Sequence, residues 1–274
     1  MAPADAAPNP WAGFVDDAAV FPPGEAPLDD ALAAYAARDA ADAELVGGFV
    51  LRDTDLPSAR GLDAPLAVVL TGGAGQVAGV AGLCERLGLR LGALEVALRD
   101  PDDLAGNARR VVAAVDAAGV QAPVFVEIPA PPGRPPTPDW LAAADEVAAA
   151  ELRLKFRTGG LTADAFPPPA VLAAWIDAAL DRETPFKCTA GLHRARRHVA
   201  ADGFTHHGFG NVLLATQDAF DGASPADVAA VLDDADPALD RLEPARARRW
   251  FTSFGCCGVA EPIADLRALG LVAA

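Results

Sequence analysis

ELRLKFRTGGLTADAFPPPAVLAAWIDAALDRETPFKCTAGL, residues 151–192, holds one complete structural unit. Leu152–Arg157 alternates apolar and basic residues, the period of a strand whose two faces meet different surroundings. An alanine-rich segment of helical period follows at Pro168–Asp181, and a second short strand lies at Pro185–Thr189. Two strands joined through a helix run parallel in one sheet.

The unit repeats outward in both directions. Strands are expected near Gly13–Val15, Leu45–Leu51, Leu66–Thr71, Leu91–Leu98 and Val124–Ile128, and again at Trp250–Gly255. Helices are expected at Leu28–Ala43, Ser58–Leu62, Gln76–Leu87, Asp102–Ala118 and Asp139–Ala149, then over a longer region from Gly208 to Leu232, and at Pro262–Leu269. Eight strand–helix units in roughly 250 residues is the count of a (β/α)8 TIM barrel. A doubly wound open sheet is the alternative. Even strand spacing, and a first unit without a glycine-rich dinucleotide fingerprint, favour the barrel, read as a single domain over residues 1–274. Two segments break the rhythm. Pro129–Pro138 must be a stiff, non-helical loop. Residues 198–249 form an extended connection between the seventh and eighth strands, long enough for two helices.

Composition narrows the partners. The formal charge is −16, with acidic residues spread along the helices. That argues against nucleic acid or an anionic membrane as partner. No apolar stretch reaches the ~18 residues of a membrane span, and the N-terminus lacks a basic region followed by an apolar run. Cys84, Cys188, Cys256 and Cys257 lack CxxC spacing and read as reduced thiols. The expectation is a cytoplasmic protein acting on a small molecule, with homo-oligomeric assembly open.

The chain has only two lysines, Lys155 and Lys187, against twenty arginines, and both stand near the end of an expected strand. Arginine replaces lysine wherever a surface cation suffices, but it cannot supply a neutral amine. In a barrel the active site lies at the C-terminal ends of the strands. There the chain sets Asp16 and Asp17, Arg52 and Asp53, Arg99 and Asp100 with Glu95 below them, Glu127, Lys155 with Arg157 and Thr158, Lys187 with Thr189 and His193, and Ser253 with Cys256 and Cys257. Side-chain alternation turns Leu154 and Phe156 outward, so Arg153, Lys155 and Arg157 point inward. Adjacent strands bring the two ammonium groups close. Like charges at that range, with Arg157 beside them, favour loss of a proton from one lysine. A neutral amine can then attack a carbonyl and form a Schiff base.

These strand ends resemble a known family. Phe186-Lys187-Cys188-Thr189-Ala190-Gly191-Leu192 is similar to the seventh-strand motif of deoxyribose-phosphate aldolases, class I (Schiff-base) aldolases on this barrel. Lys155-Phe156-Arg157-Thr158-Gly159 resembles that family's sixth-strand lysine and Thr-Gly turn, 32 residues before Lys187. Val124-Phe125-Val126-Glu127 and Val15-Asp16-Asp17 are similar to its fifth and first strands. The resemblance implies that Lys155 forms the Schiff base and that Lys187 tunes it, without any cofactor. Glu127 or Asp16 would then move protons, while Arg157, Thr158, Gly159, Thr189, Gly191 and His193 hold substrate. The chain departs from the family twice. Its relay aspartate would fall near Ala97, with only Glu95 two residues before it, and Cys256-Cys257-Gly258 replaces its phosphate-binding serines.

Three other readings of the same residues stand beside this one. Lys155 and Lys187 can pair with Glu95 and Glu127 as a structural network. Lys155, Arg157 and Lys187 can clamp a phosphate or carboxylate, as in a binding protein or isomerase. His193, His198, His206 and His207 can serve a metal-dependent barrel enzyme, although all four fall in one connection. Cys256 and Cys257 could include a nucleophile, since one of them should face the site, but with no histidine set beside them by sequence they read first as packed thiols. Asn211 is read as a helix cap before a ligand contact.

Overall fold

The computed structural model of the protein describes residues 9–273. Eight parallel strands close into a barrel: β1 (Val15–Asp17), β2 (Val46–Arg52), β3 (Pro65–Val69), β4 (Arg90–Ala97), β5 (Val124–Glu127), β6 (Arg153–Arg157), β7 (Phe186–Thr189) and, after a two-stranded hairpin, β10 (Phe251–Cys256). They follow one another around the barrel, and β10 closes against β1. Each lies within about two residues of its expected position, because short apolar runs set between segments of helical period mark the staves.

Alternation decides what faces where. Leu154, Phe156, Phe186 and Cys188 point outward and are buried under the helices. There Phe186 packs on Phe156 and stacks on Phe251, with ring centres 4.8 and 5.4 Å away. Fully burying side chains of this size stabilises the fold by ~1.5–3 kcal/mol each. The interior is filled differently. Ala18, Val50, Ala67, Ala93 and Phe125 form a small apolar plug, and the polar residues lie beside it. Glu127, Lys155, Lys187 and Ser253 are in register on four adjacent strands, β5, β6, β7 and β10.

The outer helices are α1 (Leu28–Ala36), α2 (Ala40–Leu45), α3 (Val77–Leu87), α4 (Leu104–Ala118), α5 (Pro138–Ala149), α6 (Pro169–Asp181), α7 (Phe209–Phe220), α8 (Pro225–Asp233), α9 (Pro244–Ala247) and α10 (Ala260–Ala268). Capping side chains start several of them. Asp103 accepts from Gly106 N, Thr137 from Trp140 N and Ser224 from Asp227 N. The expected helix Leu28–Ala43 is two helices, because the Asp39 carboxylate accepts the Asp42 amide at 2.9 Å and starts a new one. The short helix expected at Ser58–Leu62 is a 3-10 turn at Asp53–Ala59, with Pro57 inside it. The connection after β7 carries α7 and α8, as its length requires. It also carries the hairpin β8 (His198–Val199) and β9 (Thr205–His206), which the sequence reading missed. Residues 129–137 are non-helical, as expected. Among the described residues, no helix is long and apolar enough to cross a membrane.

Candidate functional site

The inward side chains of β1, β4, β5, β6, β7 and β10 meet in one buried ionic network. Lys187 Nζ donates to Asp16 Oδ2 at 2.7 Å and to Glu95 Oε1 at 2.6 Å. The other oxygen of Glu95, Oε2, lies 2.7 Å from Lys155 Nζ, and Glu127 Oε2 lies 3.1 Å from the same amine. Ser253 Oγ donates to Asp16 Oδ2 at 2.8 Å, and the Gly48 amide donates to Asp16 Oδ1 at 3.0 Å. Arg157 closes the network with a fork onto Glu127, at 2.9 and 3.3 Å.

These carboxylates correct the expected electrostatics. The sequence reading has two ammonium groups repelling each other toward a neutral amine, with Arg157 adding to the push. Instead Glu95 sits between the lysines, and Arg157 is occupied by Glu127. Burial alone would lower the pKa of Lys187, but Asp16 and Glu95 outweigh it and hold the amine above the ordinary lysine range. Burial alone would raise Glu95, but Lys155 and Lys187 bring it down to about 2. Glu127 is likewise lowered, against its burial, by Lys155 and Arg157.

The two lysines are not equivalent. Lys187 is 1% exposed, and its Nζ sits 5.3 Å from the centre of the Phe125 ring. Lys155, 6% exposed, reaches a cavity of about 400 Å³ at the C-terminal end of the barrel. Glu95, Arg157, Thr189, Gly191, His193 and Cys257 share that cavity, and Phe21, Val50 and Val69 give it an apolar side. Asp16 does not line it. Glu127 faces a separate cavity of about 340 Å³ under the Pro129–Gly133 loop, which Lys155 and Arg157 also reach.

Two expected substrate contacts lie elsewhere. Thr158 is wholly buried and donates its hydroxyl to the Ala190 carbonyl at 2.6 Å. Gly159 packs against Gly191, and Gly160 rather than Gly159 borders the cavity beside Gly191. Asn211 lies inside α7 and does not cap its start, but it caps the C-terminal end of α8. Its amide donates to the Val231 and Asp234 carbonyls, and its oxygen accepts from Arg197 N.

The sequence reading left Cys256 and Cys257 without a histidine, and the fold corrects this. His193 lies 3.6 Å from each sulfur, with Nδ1 toward Cys256 and Nε2 toward Cys257, and its Nδ1 also meets Glu261 Oε2 at 2.7 Å. Adjacent strand ends were the available signal, since the seventh and eighth strands neighbour each other in such a barrel. The other histidines have separate partners: His198 with the Arg196 carbonyl, His206 with Asp202 and His207 with the Pro167 carbonyl. Among the described residues no group of three or more His, Cys, Asp or Glu is arranged to hold a metal ion.

No family model matches the chain, and no curated protein does. Solved structures do. The tetrameric deoxyribose phosphate aldolase from Aeropyrum pernix aligns with a TM-score of 0.56 and 13% identity, over 96% of this chain and 93% of that one. The YdjI aldolase from Escherichia coli K12 gives 0.41 and 12% identity over 90% and 94% of the two chains. A 2,3-dimethylmalate lyase of the PEP mutase/isocitrate lyase superfamily gives 0.38 and 15% over 96% and 95%. The last two scores are too low to add weight. At 13% identity the first likeness establishes one thing, that this chain folds as the (β/α)8 barrel such an aldolase uses.

Proposed function

We propose that the protein is a Schiff-base-forming lyase of the aldolase kind, acting on a small aldehyde, ketone or sugar-phosphate-like substrate through Lys155. The observation that carries this reading is the position of Lys155 Nζ. It is a buried amine at a cavity wall, 2.7 Å from a carboxylate that also holds a second lysine. Lys155 would pass a proton to Glu95 and attack the carbonyl carbon, and loss of water would give the iminium that draws electrons from the adjacent carbon–carbon bond. Glu95 takes the proton-carrying role that sequence reading gave to Glu127 or Asp16, because Glu95 borders the cavity, whereas Asp16 does not line it and Glu127 faces the other one. Asp16 and Ser253 would hold Lys187, which keeps Glu95 ionised. Arg157, Thr189, Gly191 and His193 would contact substrate. The chemistry requires no cofactor.

An anion clamp is supported less well. Lys155, Lys187 and Arg157 are matched by Asp16, Glu95 and Glu127, so these three cations do not form a free clamp. A purely structural network fits the ion pairs equally well, but it gives no reason for one lysine to reach a cavity.

Borohydride trapping with a panel of small aldehydes, ketones and sugar phosphates, read by peptide mass, tests the proposal. The expected result is an adduct on Lys155 that Lys155→Arg abolishes. No adduct at either lysine would count against the mechanism, and an adduct on Lys187 alone would reverse the two roles. Light scattering tests whether this chain is also a homo-oligomer, as the Aeropyrum enzyme is a tetramer.

A further inference from the structure

We propose that Cys257, His193 and Glu261 form a thiol–imidazole–carboxylate triad, which activates Cys257 for reversible addition to small aldehydes at the mouth of the barrel cavity. The ring of His193 divides its two nitrogens between the partners. Nδ1–H donates to Glu261 Oε2 at 2.7 Å, which turns Nε2 toward Cys257 Sγ at 3.6 Å. That is the order of nucleophile, base and orienting group found wherever a side chain is activated by an adjacent imidazole.

Burial separates the two sulfurs. Cys256 is 2% exposed, and burial pushes its thiol up, so it stays protonated and packs. Cys257 is only partly buried and borders the cavity that Lys155 reaches. His193 borders that cavity too, and with Glu261 it borders a second cleft of about 860 Å³. The imidazole therefore stands in the wall between the two. A single metal ion does not explain the cluster, because the sulfurs lie off opposite nitrogens of one ring.

Other charged groups near His193 are already engaged. His206, 6.5 Å away between ring centres, is paired with Asp202, and Arg194 with Asp265. Hydrogen bonds to the two cysteine sulfurs raise the pKa of His193, against its burial.

The step balances without a co-reactant. The Cys257 S–H proton passes to Nε2, and the thiolate attacks the aldehyde carbon. As the C–S bond forms, the C=O π pair moves to oxygen, which takes the proton back from the imidazolium. The product is a hemithioacetal, with nothing oxidised or reduced, and reversal restores both partners. The choice of aldehyde as ligand rests on the proposed role of Lys155; the activated thiol does not.

Iodoacetamide labelling of Cys257, followed by peptide mass from about pH 5 to pH 10, tests the triad. The expected inflection lies about one to two pH units below the ~8.5 of a free thiol. It should move back toward ~8.5 in His193→Asn and in Glu261→Gln, the latter removing a half-exposed carboxylate that the core does not need. The rate near neutral pH should change only about threefold, because a lower-pKa thiolate is also a weaker nucleophile. Acetaldehyde should slow labelling in wild type and equally in Lys155→Arg or Lys155→Met, neither of which can form a Schiff base. A wild-type inflection at or above ~8.5 would overturn the proposal, and so would a Cys257 that acetaldehyde fails to protect in the folded Lys155 variants. Failure to trap an adduct on Lys155 would instead strike only the lysine reading.

Discussion

Glu95 bridges both buried ammonium groups, so single substitutions there have large effects. Glu95→Gln leaves Lys155 and Lys187 each short of a charge partner, and the expected loss is about 3–5 kcal/mol of unfolding free energy, read by urea denaturation. The same residue sets an acid limit. Its folded pKa, about 2, lies below its ordinary value of 4.5. Its contribution is therefore complete above pH 4.5 and lost as the pH falls toward 2. His207 acts in the same direction at higher pH. Burial lowers it from 6.5 to about 4, so the unfolded chain binds that proton first. Stability should fall between pH 6.5 and 4 in wild type, and less steeply in His207→Gln. Urea midpoints taken across this range check both slopes.

At the scale of elements, the turns after β6 and β7 are held back to back. Gly191 has φ +78°, and a Cβ at Gly159 would come within 2.8 Å of Gly191 Cα. Gly159→Ala must push the two turns apart, at an expected cost of about 1–3 kcal/mol, seen as a lower Tm. The trapping yield on Lys155 should fall with it, since Lys155 and Lys187 precede these turns. The strand β6 was legible because Leu154 and Phe156 opposed Lys155 in strict alternation, and the other staves because short apolar runs stood between segments of helical period. The α1–α2 break was not, because the Asp39 cap competes locally with an otherwise continuous helical period. The hairpin β8–β9 has only two residues per strand, too few to show a period. Lys155 and Lys187 were found from residue type and strand position alone. Pairing of the lysines with Glu95 and Glu127 was one of the readings the sequence offered; the meeting of Asp16 with Lys187 was not, because β1 and β7 are not neighbours in the barrel and only inward side chains of one interior layer touch across it.

Barrel closure depends on the seam between the first and last strands, where Arg248 is lodged. Its guanidinium donates to the carbonyls of Pro10, Ala12 and Thr252, at 2.5, 2.9 and 2.8 Å, and lies 4.9 Å from the centre of the Phe14 ring. Arg248→Leu leaves those carbonyls without their donor and should lower unfolding free energy by about 2–4 kcal/mol, with earlier exchange of the β1 and β10 amides. Hydrogen exchange by mass spectrometry distinguishes this local loosening from uniform loss. Lysine scarcity has a separate consequence at this scale. One of the two lysines is sealed and the other ends at a cavity wall, so the described outer surface offers no lysine to an acylating reagent. Apart from a chain terminus, an amine-selective reagent can modify the folded protein only at Lys155, through the barrel mouth or through the cavity under the Pro129–Gly133 loop. The rate at which one acyl group is taken up would then gauge how accessible that single amine is.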